Sequence, residues 1–169
     1  MTDAVAFDAS FLLPVFSRNL HAVPRDPSTG KFIEQYDKKI DHLLSRLEKE
    51  KTKMLIPAPT LSEILIRVEA EEVDDYLKEI FSGLAFSIAS FEKEAAIEVA
   101  MMGRKAKKQG DKRSGSTEVW SKVKFDRQII AIAKVGNTEV IYSDDKNLRN
   151  FAEQAGLNVI SSHELELPP

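Results

Sequence analysis

Short apolar runs alternate along this chain with longer stretches of helical periodicity. Val5-Ala6-Phe7 runs directly into Asp8, and a brief continuous apolar run closed by a polar residue reads as a buried strand. Phe11 to Phe16, with Pro14 inside, reads as a short helix or turn. The segment 17–31, holding Pro24, Pro27 and Gly30, reads as a loop. Ile33, Tyr36, Ile40, Leu43, Leu44 and Leu47 recur at spacings of three, four, three, one and three, which puts them on one face of a helix over about 31–51. Met54-Leu55-Ile56 gives a second strand, stopped by Pro57 and Pro59, after which Thr60 opens a helix carrying Leu61, Ile64, Leu65 and Val68. The pattern then predicts a helix over 73–81 ending at Gly83, a strand over 84–89, a helix over about 91–108, and an exposed loop over 110–117. Phe125, Ile129, Ile130, Ile132 and Ala133 mark a further helix, followed by a strand at 139–142, a helix at 148–155 and a strand at 157–160.

Apolar strands separated by helices make a parallel sheet covered on both faces. The expectation is therefore an α/β fold, a three-layer α/β/α sandwich with a mainly parallel sheet of about five strands. One domain over 1–169 is expected, with a core at about 4–161. The loop 17–31, the helix 73–81 and the loop 109–117 are elaborations, and 162–169 is a short tail. The length of 169 residues with 43% hydrophobic and 30% charged residues suits one such domain. No apolar run approaches the ~18–20 residues of a membrane span, and Asp3 and Asp8 stand where a signal peptide carries positive charge. The expected location is cytoplasmic. The absence of cysteine excludes thiolate nucleophiles, disulfides, iron–sulfur clusters and cysteine-bound zinc. A net charge of −3 argues against a surface coated in positive charge for nucleic acid, though not against a local patch.

Ligands gather at the carboxyl ends of the strands in such sheets. Asp8 follows the first strand, and Asp144 and Asp145 follow the strand ending at Tyr142. Glu63 lies in the first turn of the helix entered from the second strand, and Asp126 near the start of the helix preceding 139–142. Clustered carboxylates repel unless a cation neutralises them, and a set of hard oxygen donors suits Mg²⁺ or Mn²⁺. Each acid also has a plainer reading. Asp8, Asp144 or Asp145 would serve as helix caps, Thr60-Leu61-Ser62-Glu63 matches a capping box, and Asp126 in a first turn would meet a helix dipole. Four acids delivered to one edge favour the site over four separate caps.

In this order and spacing the motifs resemble the PIN domain, the metal-dependent nuclease fold of VapC-type toxins, from Val5 to Ile160. Val5 to Ser10 resembles the family's first strand with its acid. Pro59 to Ile64 is similar to the second motif, with Glu63 as its acid. Phe125 to Ala133 resembles the third, an aspartate followed by an aliphatic, alanine-rich helix, and Val140 to Leu148 the fourth, with Asp145 as its acid, Asp144 in the variable position and Leu148 replacing the usual aromatic. The resemblance implies that Asp8, Glu63, Asp126 and Asp145 are catalytic and hold one or two Mg²⁺ or Mn²⁺ ions, with Ser10, Ser143 and Asp144 in support. It implies hydrolysis of RNA phosphodiester bonds, and as partners an RNA substrate, an antitoxin protein and a second copy in a homodimer, for which the 33–47 helix face is a candidate surface unless it is the monomer's own core.

Arg104, Lys105, Lys107, Lys108, Lys112 and Arg113 form a basic run. It reads either as a hold on the RNA backbone or as cations complementing a helix C-terminus. The 110–117 segment mimics P-loop spacing but lacks the lysine after Gly115 and a preceding strand. His21, His42 and His163 have no paired spacing. No Gly-x-Ser-x-Gly elbow is present. A receiver domain would need adjacent acids after the first strand, and a haloacid-dehalogenase phosphatase an aspartate at position 10, where Ser10 stands. Trp120 and Phe91 read as core or interface residues. Two function classes remain: a metal-dependent ribonuclease, and a PIN-like RNA- or protein-binding module without catalysis.

Overall fold

The computed structural model describes residues 3–16, 23–83 and 85–169. Parts of two expected elements, the 17–22 stretch of the first loop with His21 and the Leu84 start of the third strand, lie outside them. The elements follow in the order β1 (Ala4–Phe7), α1 (Ala9–Phe16), α2 (Tyr36–Lys49), β2 (Lys53–Pro57), α3 (Ala58–Leu65), α4 (Val73–Gly83), β3 (Phe86–Ala89), α5 (Lys93–Lys108), α6 (Trp120–Val135), β4 (Val140–Tyr142), α7 (Lys146–Gln154) and β5 (Asn158–Ile160). Short 3₁₀ turns at Ala70–Glu72 and Ser162–Glu164 complete them. The strands form one sheet in the order β3-β2-β1-β4-β5, and every pairing is parallel. All five carboxyl ends therefore face one edge.

Alternate residues of the strands feed two cores, as the two-residue period of a strand requires. Val5, Phe7, Met54, Ile56, Phe86 and Tyr142 pack beneath α1 to α4, whereas Ala6, Ile141 and Val159 pack beneath α6 and α7. This is the three-layer sandwich. At the first core's centre the rings of Phe7 and Tyr142 stack at 4.9 Å, with Phe11 and Phe86 against Phe7 at 5.7 and 5.4 Å. Those contacts lock the ends of β1 and β4 together, one residue before Asp8 and two before Asp144. The six-residue stripe from Ile33 to Leu47 is buried in this core. It is the monomer's own core, and that face is not available as a dimer surface.

Several boundaries differ from the sequence reading. The second helix begins at Tyr36 and not near residue 31, because 23–33 folds back on itself: Arg25 and Phe32 form an antiparallel bridge, and Gly30 turns the chain at φ 69°. Gln35 then enters the helix in the left-handed region at φ 52°. α3 starts at Ala58 with proline in its first turn, so Thr60 does not open it and no capping box forms. It ends at Leu65, which leaves Val68 in the turn beyond. The helix expected from 148 starts two residues earlier. α6 starts at Trp120, five residues before the expected Phe125, so Asp126 is its seventh residue and meets no helix dipole. Phe91 is 41% exposed and is not a core residue, while Trp120 is half-buried beneath the cations of Lys112, Lys124 and Arg127.

Candidate active site

Asp8 extends β1 by one step, its amide donating to the Tyr142 carbonyl at 3.0 Å, and its side chain is buried. Its Oδ2 accepts from the hydroxyls of Ser10 at 2.6 Å and Ser143 at 2.9 Å. The same two hydroxyls accept from the backbone amides of Asp144 at 3.0 Å and Asp145 at 3.1 Å, respectively. A serine hydroxyl has one proton. With both protons committed to Asp8, none is left for the 3.2 Å approach of Ser10 to Ser143. The serine pair thus stitches the end of β1 to the end of β4 and fixes the Asp8 carboxylate.

Asp145 divides its two oxygens. Oδ1 caps α7, accepting from the amides of Asn147 at 2.8 Å and Leu148 at 3.2 Å, and Oδ2 lies 3.1 Å from the Lys122 ammonium. The capping reading of this residue is correct, and it leaves one oxygen for the site. Asp126 comes from α6, is fully buried, and meets the same Lys122 ammonium at 2.7 Å through Oδ1. Its Oδ2 is buried with no hydrogen-bond partner. Glu63 lies half-buried on α3, and its electrostatic neighbours are Asp8, Asp145 and Lys122. Asp144 does not cap α7. It accepts from the Ser162 amide at 2.7 Å and the Ser162 hydroxyl at 2.9 and 3.0 Å, holding the Ser162–Glu164 turn against the end of β4.

The electrostatics follow from burial and crowding. Burial pushes the Asp126 carboxyl up to about 7 against the opposing pull of Lys122, with Asp145 and Asp8 adding like-charge repulsion. Glu63 is raised by burial and by Asp8. Asp144 is raised by burial, partly offset by Ser162. Burial also acts on Asp145, but Lys122 and the amides of Leu148 and Asn147 outweigh it, and its carboxyl is held below the usual range. Lys122 is held charged: burial opposes the charge, and Asp126 and Asp145 together more than restore it.

Lys122, which pairs with both Asp126 and Asp145, is the residue among these acids that the sequence reading missed. Its signal was present, since a lysine four residues before Asp126 on one helix is an i,i+4 pair. Starting the helix at Phe125 hid it. The four acids converge on one edge, yet among the described residues no three His, Cys, Asp or Glu side chains form a ready-made metal cluster. Lys122 occupies the space between Asp126 and Asp145. The donors are nonetheless suited to a hard divalent cation, because they are all carboxylate oxygens and one, Asp126 Oδ2, is buried and unpartnered.

Two members of the basic run, Lys105 and Lys112, sit away from the acids. Lys105 shares a cavity with Gln154 and Ala155 at the opposite end of α7 from the one Asp145 caps, roughly 13 Å away along nine residues at 1.5 Å each. Lys112 lies 5.1 Å over the Trp120 ring. At about 100° per residue, Trp120, Lys124 and Arg127 share a face of α6 roughly opposite to that of Lys122 and Asp126. The 110–117 loop is an ordinary turn. Asp111 accepts from the amides of Arg113 and Gly115, and Arg127 donates to the Lys112 carbonyl and the Ser114 hydroxyl.

The PIN domain family model matches residues 30–154, and the chain belongs to that family. Among solved structures it is similar to VapBC2 from Rickettsia felis bound to a DNA fragment from their promoter, at 14% identity and a TM-score of 0.61, over 94% of this chain and 98% of that one. It is similar also to DNA-bound VapBC from Salmonella typhimurium, at 15% identity and a TM-score of 0.57, over 94% and 98% of the two chains. Mycobacterium tuberculosis VapC20, a sarcin-ricin loop cleaving toxin, gives 13% identity and a TM-score of 0.47, over 90% and 95%. Among curated protein sequences none matches. No helix among the described residues is long and apolar enough to cross a membrane.

Proposed function

We propose that the protein is a cytoplasmic, Mg²⁺- or Mn²⁺-dependent endoribonuclease, the toxin of a toxin–antitoxin pair, with Asp8, Glu63, Asp126 and Asp145 as its catalytic carboxylates. The observation that carries this is Asp126, fully buried on α6 with one oxygen unpartnered beside Asp145. A buried carboxylate oxygen left without a donor costs stability unless a proton or a cation meets it, and the PIN family places its acids at this edge.

Asp8, Glu63, Asp126 and Oδ2 of Asp145, the oxygen that does not cap α7, would hold the divalent ion. When bound, that ion supplies Lewis acidity, activating water and neutralising charge on the scissile phosphate. The chain's own residues do the positioning. Ser10 and Ser143 orient Asp8 through Oδ2, and the α7 amides fix Asp145 through Oδ1, so that Oδ2 faces the site. Lys122, whose ammonium lies between Asp126 Oδ1 and Asp145 Oδ2, would neutralise these two carboxylates wherever no ion is held. No covalent enzyme intermediate is required. An antitoxin protein would be the partner that masks this edge.

The second reading is a PIN domain that binds RNA or protein without cutting. The specific observation in its favour is Lys122 itself, which neutralises two of the four acids internally. Cleavage of a mixed RNA pool by wild type and by the Asp8→Asn/Asp145→Asn protein, with Mg²⁺, Mn²⁺ or EDTA, separates the two. Metal-dependent cleavage lost in the double variant supports the nuclease. An intact RNA pool with folded, antitoxin-free wild type supports the binding module.

A further inference from the structure

Beside the acidic edge opens a cavity of about 390 Å³ whose walls carry Arg25, Lys146, Arg149 and His163, with Asp144 at its base. One wall is the folded-back 23–33 segment. It is fixed by the Arg25–Phe32 bridge, by Asp26 accepting from the Ser28 amide at 2.7 Å, and by Arg25 donating to the Gly30 carbonyl at 2.9 Å. The Arg25 guanidinium lies 4.1 Å over the ring of Phe32, which is 53% exposed. The facing wall is the first turn of α7, with Lys146 and Arg149, and the turn bearing His163. Arg149 is anchored there by Ser161 at 2.8 Å and by Glu164. The cavity adjoins the acids through the backbone, since Asp144, Asp145 and Lys146 are consecutive.

Among the described residues the lining carries Asp144 as its one carboxylate, and although Glu164 pairs Arg149 and Asp26 lies near His163, Arg25 and Lys146 remain as cations of the lining, so the cavity favours an anion. Phe32, which lies beside the cavity under Arg25 and is not itself in the lining, adds what a simple anion would not need. An exposed aromatic ring beneath a guanidinium, next to cations, is the combination on which single-stranded nucleic acid stacks its bases and rests its backbone. An acidic peptide would satisfy the cations and leave the ring unused.

We propose that this cavity holds the single-stranded RNA flanking the scissile bond, with a phosphate against Lys146 and Arg25 and a base on the Arg25–Phe32 platform. The inference rests on the ribonuclease reading for its ligand, and it assigns the RNA contact to this cavity instead of to the basic run at 104–113. The test measures binding of a labelled, cleavage-resistant 2′-O-methyl RNA oligonucleotide in EDTA by fluorescence anisotropy across a salt series. The proteins compared are wild type, Lys146→Ser, Phe32→Ala and Lys107→Ser/Lys108→Ser/Lys112→Ser/Arg113→Ser. Lys146→Ser is expected to weaken binding about tenfold and to flatten the log–log salt slope by about 0.7, one phosphate contact to a single strand. Phe32→Ala is expected to weaken it about tenfold at an unchanged slope, because stacking releases no counterion. Wild-type affinity and slope in both variants would overturn the inference, as would loss confined to the fourfold serine protein. So would a Lys146→Ser protein that keeps its RNA affinity but loses binding to a poly-glutamate peptide, which would make the cavity a protein dock. A wild type that neither binds this oligonucleotide nor cuts the RNA pool would refute the ribonuclease reading itself. Wild-type cleavage with unaffected variants would refute this inference alone.

Discussion

Asp126 makes the stability of the metal-free protein fall as pH rises, opposite to the usual behaviour of a paired carboxylate. Its carboxyl moves from an ordinary value of 3.8 to about 7 on folding, chiefly through burial. Between those values the folded state holds a proton that the unfolded chain has released, so unfolding is favoured as pH increases. Over pH 5 to 7.5 the linkage amounts to about 2 to 3 kcal/mol, at roughly 1.4 kcal/mol per unit. For a domain of this size that is a drop in Tm of roughly 5–10 °C. Other groups do not mask it. Glu63 and Asp144 are raised and add in the same direction. Asp145 and Glu164 are lowered, so their contribution is complete above the ordinary carboxylate range and is lost only in more acid solution. Lys122 is raised, so its contribution is constant until alkaline pH. The assay is a set of thermal melts in EDTA from pH 5 to 7.5, on wild type and on Asp126→Asn, in which the slope flattens. At pH 7.5, Mn²⁺ at about a hundred times its dissociation constant should restore about 3 kcal/mol. A Tm that is level or rises over this range in EDTA would refute the reasoning.

Three more expectations test the site and its supports. Lys122→Met removes the internal counter-ion, so the metal-free protein should lose stability while binding Mn²⁺ at least about tenfold more tightly by calorimetry, since no ammonium competes for Asp126 and Asp145; equal affinity would show that Lys122 does not occupy the ion's place. Ser143→Ala strips Asp8 of one donor and leaves the Asp145 amide without its acceptor, at a cost of about 1–3 kcal/mol in denaturant unfolding, together with a fall in kcat on RNA. Leu148→Ala opens a cavity in the fully buried core under α7 and should cost about 2–5 kcal/mol by chemical denaturation, with cleavage by the folded fraction retained.

The alternation of strands and helices, and with it the parallel sheet, was legible in the chain because the period of a buried strand and that of an amphipathic helix are properties of local sequence. So were Asp8 and Asp145, because a residue that ends a parallel strand is carried to the carboxyl edge whatever surrounds it. The role of Asp126 was readable as an acid opening an aliphatic helix, but its burial in mid-helix was not. The extra turn of α6 from Trp120 carries few apolar residues, and what buries Asp126 is the packing of that helix over the sheet. Lys122 was visible only as one cation among many, until α6 and the cap of α7 came together around it from positions 23 residues apart. Capping and a place in the site could not be separated at Asp145 from sequence alone, because a carboxylate has two oxygens and only the tertiary structure shows Oδ1 given to the α7 amides and Oδ2 turned to Lys122. The cavity beside the site joins Arg25, with Phe32 beneath its guanidinium, to Lys146 and His163, more than a hundred residues away. Charge runs in sequence drew attention to 104–113 instead, since adjacency along the chain is visible there and adjacency across the fold is not.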